Sequence, residues 1–180
     1  AALLVMGNSI ALYNPPLRVA EEMAMLDVIS GGRLIAGFPV GTSMDTNFTY
    51  GTAPATLRER YYEAHDMIKQ AWTDKGVSTF NGKFNQVRYM NPWPRPLQQP
   101  HPPIMQPFSF SESTIRWCAR QGVQPILAPV NDGLESFLFD AYHDEAVAVG
   151  RGIAPGEGIG VLRDVIVADF SYPREKILRL

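Results

Sequence analysis

The sequence has little of what marks several protein classes. Its single cysteine, Cys118, cannot form a disulfide within the chain, so a reducing, cytoplasmic location is expected. No apolar run approaches the length that spans a bilayer. The net charge is only −2 and no block of Lys or Arg occurs, which argues against nucleic-acid and membrane partners.

Patterns for metal and nucleotide binding are also missing. His65, His101 and His143 lie far apart and none has ligand spacing with another His or Cys, so no metal site is expected. The glycines of 156–161 precede a strand, whereas a dinucleotide-binding loop follows one. His101, among prolines just before a strand-like run, is the one histidine that remains an active-site candidate.

What the chain does contain is a regular alternation of apolar runs and amphipathic stretches. Strands are predicted at 3–12, 33–38, 103–108, 124–129 and 159–169, and helices at 15–30, 56–72, 111–121, 132–149 and from 171 onward. Near-continuous apolar strands alternating with helices predict an α/β fold with a parallel sheet. A TIM barrel and a doubly wound open sheet both remain possible at this point.

The 180 residues suit one domain, 1–180, with a hairpin and Pro-rich insertion at 77–102. Two of the predicted helices open with capping-box spacing. These pairs are Thr56 with Glu59 and Asp132 with Glu135. Asp27 lies beside an apolar helical face, where we expect it to bond to Arg33 or to the turn at 30–32.

One stretch between a strand and a helix, FSFSESTIRWCA (108–119), is rich in hydroxyl groups. Its four hydroxyl residues could cap the helix, or they could help to hold an anion at the helix N-terminus. The residue types alone do not distinguish helix capping from anion binding.

Five blocks in a fixed order give the sequence a wider resemblance. They are PLRVAEEMAMLDVISGGRLIAGF, RERYYEAHDMIKQAWT, FNGKF, NPWPRPLQQPHPPI and SESTIRWCARQG. Over about 5–128 they resemble the bacterial luciferase-like, flavin-dependent monooxygenase family. The resemblance implies an incomplete TIM (β/α)8 barrel of about five βα units, roughly the third to seventh strands, since a whole barrel takes about 250 residues. The chain is therefore interpreted as an internal fragment, which alone is expected to be inactive.

The resemblance implies an activity and partners. The protein would be a monooxygenase that uses O2 and reduced FMN, supplied by a separate flavin reductase, to oxygenate a small organic substrate. A deazaflavin-dependent hydride-transfer enzyme and a non-catalytic flavin-binding protein are the alternatives. In relatives the helix at 15–30 often forms a dimer interface, so a homodimer is expected, with Met23 and Met25 packing there. No catalytic acid or base can be named.

The resemblance also places the flavin ring and the loop after the second strand. Asn8 and Ser9 match a non-proline cis peptide beneath the ring, although they could equally be an ordinary polar strand end. Gly41 belongs to the loop that approaches the flavin phosphate, where Val40 replaces an arginine common in relatives. Arg58 and Arg60, at the start of the next predicted helix, are the candidates to supply the missing charge.

The remaining implied site residues come from the hydroxyl-rich stretch. Phe108 would lie against the isoalloxazine ring. Ser111 and Thr114 would bond the flavin phosphate through their hydroxyl groups, helped by the N–H groups around Glu112 and Ser113.

Overall fold

A computed structural model describes residues 1–12, 15–41, 43–163 and 167. The strands are β1 Leu3–Val5, β2 Leu34–Gly37, β3 Ser78–Asn81, β4 Gln86–Met90, β5 Ile104–Ser109, β6 Gln124–Leu127 and β7 Gly160–Val161. The helices are α1 Pro16–Ser30, α2 Met44–Thr49, α3 Leu57–Thr73, α4 Glu112–Gln121 and α5 Asp132–Ala148. A 3-10 turn at Pro54–Thr56 precedes α3.

Five strands form one parallel sheet in the order β1-β2-β5-β6-β7. This spatial order is also their order along the chain. A doubly wound sheet would reverse direction at a switch point, whereas the strands of a (β/α)8 barrel follow one another around the axis. The strand order therefore decides the alternative left open by the sequence in favour of a curled, incomplete barrel of five strands.

Helices follow β1, β2, β5 and β6 along the chain, and the core lies between these helices and the sheet. Tyr61, Trp72 and Trp117 of α3 and α4 are large aromatic residues of this core. Tyr61 contacts Trp117 edge to face at 5.5 Å between ring centroids, and its hydroxyl donates to the Phe38 carbonyl at the end of β2. These contacts hold α3 and α4 in fixed positions against the sheet.

Several element boundaries differ from the sequence-based predictions. The first strand stops at Val5, because the chain then turns and buries residues 10–12 against the core. The short helix α2 was not predicted. Of the strand predicted at 159–169, Gly160–Val161 is formed, while most of its remainder and the helix predicted from 171 lie outside the described residues.

Neither predicted capping box is formed. Thr56 makes no side-chain cap and its hydroxyl donates to the Ala53 carbonyl, because the 3-10 turn already leads into α3. The cap of α5 is Asn131, one residue before the predicted Asp132, and it accepts from the Leu134 N–H at 2.9 Å.

The hairpin β3–β4 is attached to α3 by one carboxylate. Glu63 accepts hydrogen bonds from the backbone N–H groups of Lys83, Phe84 and Asn85 at 2.6–3.1 Å. A Cβ on Gly82 would lie 2.3–2.6 Å from this carboxylate. The FNGKF block is therefore a turn shaped to enclose Glu63.

The Pro-rich segment that follows the hairpin is attached to α1 by Asp27. This side chain is fully buried and accepts from the Gln98 backbone N–H at 2.9 Å and from Gln98 Nε2 at 2.7 Å. Arg33 was wrong as the predicted partner, because it donates to the Ser30 carbonyl. The turn at 30–32 does bond to Asp27, but through the backbone carbonyl of Asp27, which accepts from Ser30 Oγ and from the Gly32 N–H. The contact joins LDVISGGR to PRPLQQPHPPI, which belong to two of the five blocks that carry the family resemblance.

Candidate functional site

A cleft lies at the carboxyl ends of the strands, between the loops that follow β1, β2 and β5. Its volume is about 400 Å³. Five of the predicted site residues line it together, namely Ser9, Gly41, Phe108, Ser111 and Thr114. The other three, Asn8, Glu112 and Ser113, do not line it with their side chains. In barrels of this type the carboxyl ends of the strands carry the active site.

The hydroxyl groups at the start of α4 are not used for capping. Ser111 is the N-cap by position, but its side chain bonds no backbone N–H of the first turn. Its hydroxyl donates to Thr114 Oγ1 at 2.8 Å instead. The first-turn N–H groups of a helix have no intrahelical partners, so this N-terminus can receive an anion.

Arg58 brings a positive charge to the same point. Its Nη1 donates to Thr114 Oγ1 at 2.6 Å and its Nη2 lies 3.5 Å from Ser111 Oγ. Thr114 Oγ1 accepts two hydrogen bonds, which leaves its own proton free to donate toward the cleft. Arg58 lies in the first turn of α3, so this helix places a cation at the start of α4.

Arg60, the other candidate for this charge, lies elsewhere. It faces a separate cavity with Thr52 and Asn85, and its guanidinium stacks over the Phe84 ring at 4.6 Å. The two arginines differ because residues two apart on a helix point in different directions.

Phe108 has a strained backbone that presents its ring to the cleft. Its φ is +61°, a value that non-glycine residues seldom adopt, and its side chain is 48% exposed. The pairing of β5 with β6 shifts register between Gln106 and Ser109, and Ser109 Oγ donates to the Gln106 carbonyl across this bulge. The bulge turns the phenyl ring out of the sheet and into the cleft wall.

Gly41 lies in the loop after β2, where only glycine fits. Its φ is +80°, and a Cβ would approach Leu12 Cδ1 and Ser9 Oγ at 2.9 Å each. Val40 lines the cleft beside it and adds an apolar surface there. The loop can therefore lie close to a ligand.

The peptide between Asn8 and Ser9 is not cis. In the described parts of the chain the cis bonds are Trp93–Pro94 and Gln99–Pro100. The interpretation as a non-proline cis bond was therefore wrong. The first strand ends at Val5, so Asn8 and Ser9 lie in the loop beyond it. Asn8 Oδ1 is buried and accepts no hydrogen bond from any described residue.

The comparisons with known proteins identify the family. Residues 4–171 match the family described as luciferase-like monooxygenase. The chain belongs to this family.

Two relatives among curated and solved proteins illustrate the membership. The chain is 37% identical over 103 residues to the oxygenase component of the flavin-dependent trigonelline monooxygenase of Acinetobacter baylyi, covering 54% of this chain and 27% of that protein. It superposes on the crystal structure of the monooxygenase RslO1 of Streptomyces bottropensis with a TM-score of 0.80 and 26% identity, covering 89% of this chain and 49% of that one.

A third neighbour shares the fold and is named for the cofactor F420, whereas the trigonelline monooxygenase is named for a flavin. It is an F420-dependent secondary alcohol dehydrogenase, solved with an F420–acetone adduct, with a TM-score of 0.72 and 15% identity. The alignment covers 88% of this chain and 46% of that one. Widely aligned curated relatives are matched over 46–58% of their length, so the chain spans about half of them.

The cleft at the carboxyl ends of the strands contains few ionisable groups. Among its described lining residues Arg58 is the only one with an ionisable side chain. His101 does not reach the cleft, because its ring packs against Trp72 at 6.0 Å and its Nδ1 lies 2.8 Å from the Pro102 carbonyl. No acid–base pair is therefore present among the described lining residues.

The described part of the chain lacks both a cluster of metal ligands and a membrane-spanning helix. No group of three or more His, Cys, Asp or Glu side chains is arranged to hold a metal ion. None of the described helices has the length and apolar character needed to cross a membrane.

Gln106 is a lining residue that the sequence-based reasoning missed. It is 2% exposed and reaches the cleft from β5. The sequence contained a signal for it, since Gln106 is the polar residue of the otherwise apolar strand PIMQPF (103–108). A polar side chain that is buried in such a strand needs a hydrogen-bond partner.

Proposed function

We propose that this protein is the oxygenase component of a two-component flavin-dependent monooxygenase, which binds reduced FMN and uses O2 to oxygenate a small organic substrate. The observation that carries the proposal is the convergence of Arg58, Ser111 and Thr114 at the N-terminus of α4, next to the exposed ring of Phe108. One end of the cleft suits a phosphate and the neighbouring wall suits a flat aromatic ring.

The donors at the phosphate end fit a phosphomonoester. A guanidinium, two hydroxyl groups and the open N–H groups of a helix first turn provide the charge and hydrogen bonds that such an anion needs. The close approach allowed by Gly41 gives room for the ligand beside them.

The ring end depends on Phe108 and Val40. Both give apolar surface beside the phosphate donors, and a flavin ring on that surface would be shielded from water on one face. Bound reduced flavin supplies the two electrons for activating O2, which is the chemistry of the cofactor itself. The chain's part is to bind, orient and partly desolvate it.

A separate flavin reductase is the proposed partner. A relative is named as an oxygenase component, which supports the proposal that one protein reduces the flavin and another carries out the oxygenation. The glycines at 156–161 do not form a dinucleotide-binding loop, since Gly156 and Gly158 precede β7 and Gly160 begins it, whereas such a loop follows a strand.

A homodimer is also part of the proposal. The predicted interface needs one correction, since Met23 is 3% exposed and packs in the core. Met25 and Ile29 are 45% and 74% exposed on the outer face of α1 and are the residues that could pack against a second copy. Analytical ultracentrifugation of the full-length protein tests this, and a monomer at all concentrations would reject it.

The decisive experiment uses the purified full-length protein and an unrelated FMN reductase. Equilibrium binding of FMN, and oxidation of reduced FMN by O2 with oxygen transfer to a panel of small organic substrates, should both be observed. Exclusive binding of deazaflavin F420 would instead establish the hydride-transfer alternative. Binding of FMN without any oxygenation over a broad panel would favour the non-catalytic flavin-binding protein.

A further inference from the structure

A buried glutamine in the wall of the cleft has a hydrogen-bond partner for its side-chain oxygen, but none among the described residues for its side-chain nitrogen. Gln106 is 2% exposed, and its Oε1 accepts a hydrogen bond from the thiol of Cys118 at 2.8 Å. Burial raises the pKa of this thiol, so it stays protonated and can serve as the donor. The carboxamide is thereby held in one orientation.

The amide nitrogen of the same side chain has nothing to donate to. No described residue accepts a hydrogen bond from Gln106 Nε2, although the side chain lies in the wall of the cleft. This nitrogen is not one of the fully buried polar atoms that lack a partner, so it keeps some accessible surface, and a ligand oxygen in the cleft can accept a hydrogen bond from it.

The position of Cys118 shows which part of the cleft this nitrogen serves. Cys118 and Thr114 are four residues apart on α4 and therefore lie on one face of that helix. Gln106 bonds to the first and lines the cleft with the second. Its amide thus lies on the α4 side of the cleft, between the phosphate donors and the bulge that carries Phe108.

We propose that Gln106 Nε2 donates a hydrogen bond to an oxygen of the ribityl chain of the bound flavin, and that Cys118 is a positioning residue that orients this carboxamide. The inference rests on the proposed function, because it names a contact to the same cofactor. The ribityl hydroxyl groups join the ring to the phosphate, which is the span between Phe108 and Ser111.

The test compares Gln106→Leu with the wild-type full-length protein. FMN and riboflavin share the ribityl chain, so their dissociation constants should rise by the same factor, about five- to tenfold. The visible spectrum of FMN at saturation should stay that of the wild type, because the ring contacts remain. Gln86→Leu on the exposed hairpin is the matched control and should leave both constants unchanged.

Cys118 supplies the second arm. Cys118→Ser keeps a donor to Gln106 Oε1 and should retain most of the affinity, whereas Cys118→Ala should weaken FMN and riboflavin as Gln106→Leu does. A merely structural role would lower the urea midpoint equally in both cysteine variants without separating their affinities.

The failures can be told apart. A wild-type protein that binds no flavin overturns the proposed function. If the wild type binds FMN but Gln106→Leu binds it equally well, or alters the spectrum of the bound ring, only this inference is overturned.

Discussion

Arg58 is the residue on which the charge of the cleft depends, because no other described lining side chain is ionised. Replacing it by Met should weaken FMN about 10- to 100-fold, since a charge-assisted bond to the phosphate is lost. Riboflavin, which lacks the phosphate, should bind nearly as before. Fluorescence titration with both ligands measures the difference.

The control for this change is Arg88→Met, which removes the same charge from the exposed hairpin strand β4. It should leave both affinities unchanged. Equal weakening of FMN and riboflavin by Arg58→Met would show that Arg58 does not contact a phosphate and would favour a purely structural role for its bonds to Ser111 and Thr114.

His65 predicts a pH dependence of stability. Burial lowers its pKa in the folded state, and the weaker hydrogen bond with Asp66 opposes this shift. In the unfolded chain the pKa is about 6.5. Below pH 6.5 the unfolded chain takes up a proton at this histidine before the folded protein does. The free energy of unfolding therefore has its full value above pH 6.5 and falls progressively below that pH.

The measurement is the free energy of unfolding in urea from pH 7.5 to 5. Wild type should lose about 1.4 kcal/mol for each unit by which the two pKa values differ, beyond what carboxylates contribute. His65→Phe can keep the edge contact with Trp117, but its unfolding free energy should lack the part of the pH dependence that comes from His65. His143→Phe, at a side chain 30% exposed, should keep it, and identical slopes in all three proteins would refute the assignment.

At the scale of an element, the hairpin β3–β4 depends on a turn that has no room for a side chain. Gly82→Ala would drive a Cβ into the Glu63 carboxylate that holds the turn on α3. We expect a loss of about 1–3 kcal/mol of unfolding free energy. Gly76→Ala, where a Cβ would meet nothing within 4 Å, should change it by less than about 0.5 kcal/mol.

Proteolysis distinguishes the cause of this loss. If the turn detaches from α3, limited digestion should cut the Gly82→Ala protein within 82–85 before any other site, because local opening exposes the backbone there. Uniform digestion, or an unchanged urea midpoint, would show that Glu63 does not hold the hairpin in this way.

At the scale of the whole molecule, Asp27 connects parts of the chain that are 71 residues apart. Asp27→Asn keeps the size of the side chain but places an amide opposite Gln98 donors, so a buried donor loses its acceptor. Unfolding free energy should fall by about 2–3 kcal/mol in chemical denaturation. Asp140→Asn, at an exposed carboxylate of α5, is the control and should be nearly neutral; equal effects of the two changes would refute this role.

The sequence-based predictions succeeded where the signal is local. Helices such as α1 were predicted almost to the residue, because prolines mark its start and Gly31 adopts the left-handed conformation at its end. Caps failed at Thr56 and Asp132, since spacing alone does not say which backbone groups remain unpaired. The partner of Asp27 failed because Gln98 is distant in sequence.

The amino-acid sequence by itself determined the alternation of strands and helices, the family blocks and the residue types at the helix α4 start, because these depend on side-chain chemistry and short spacing. Only the tertiary structure decided the single direction of the strand order and the arrival of Arg58 at Ser111 and Thr114. It also decided that the hydroxyl groups of FSFSESTIRWCA are not helix caps. These outcomes depend on which distant segments pack together, and packing is a property of the whole fold.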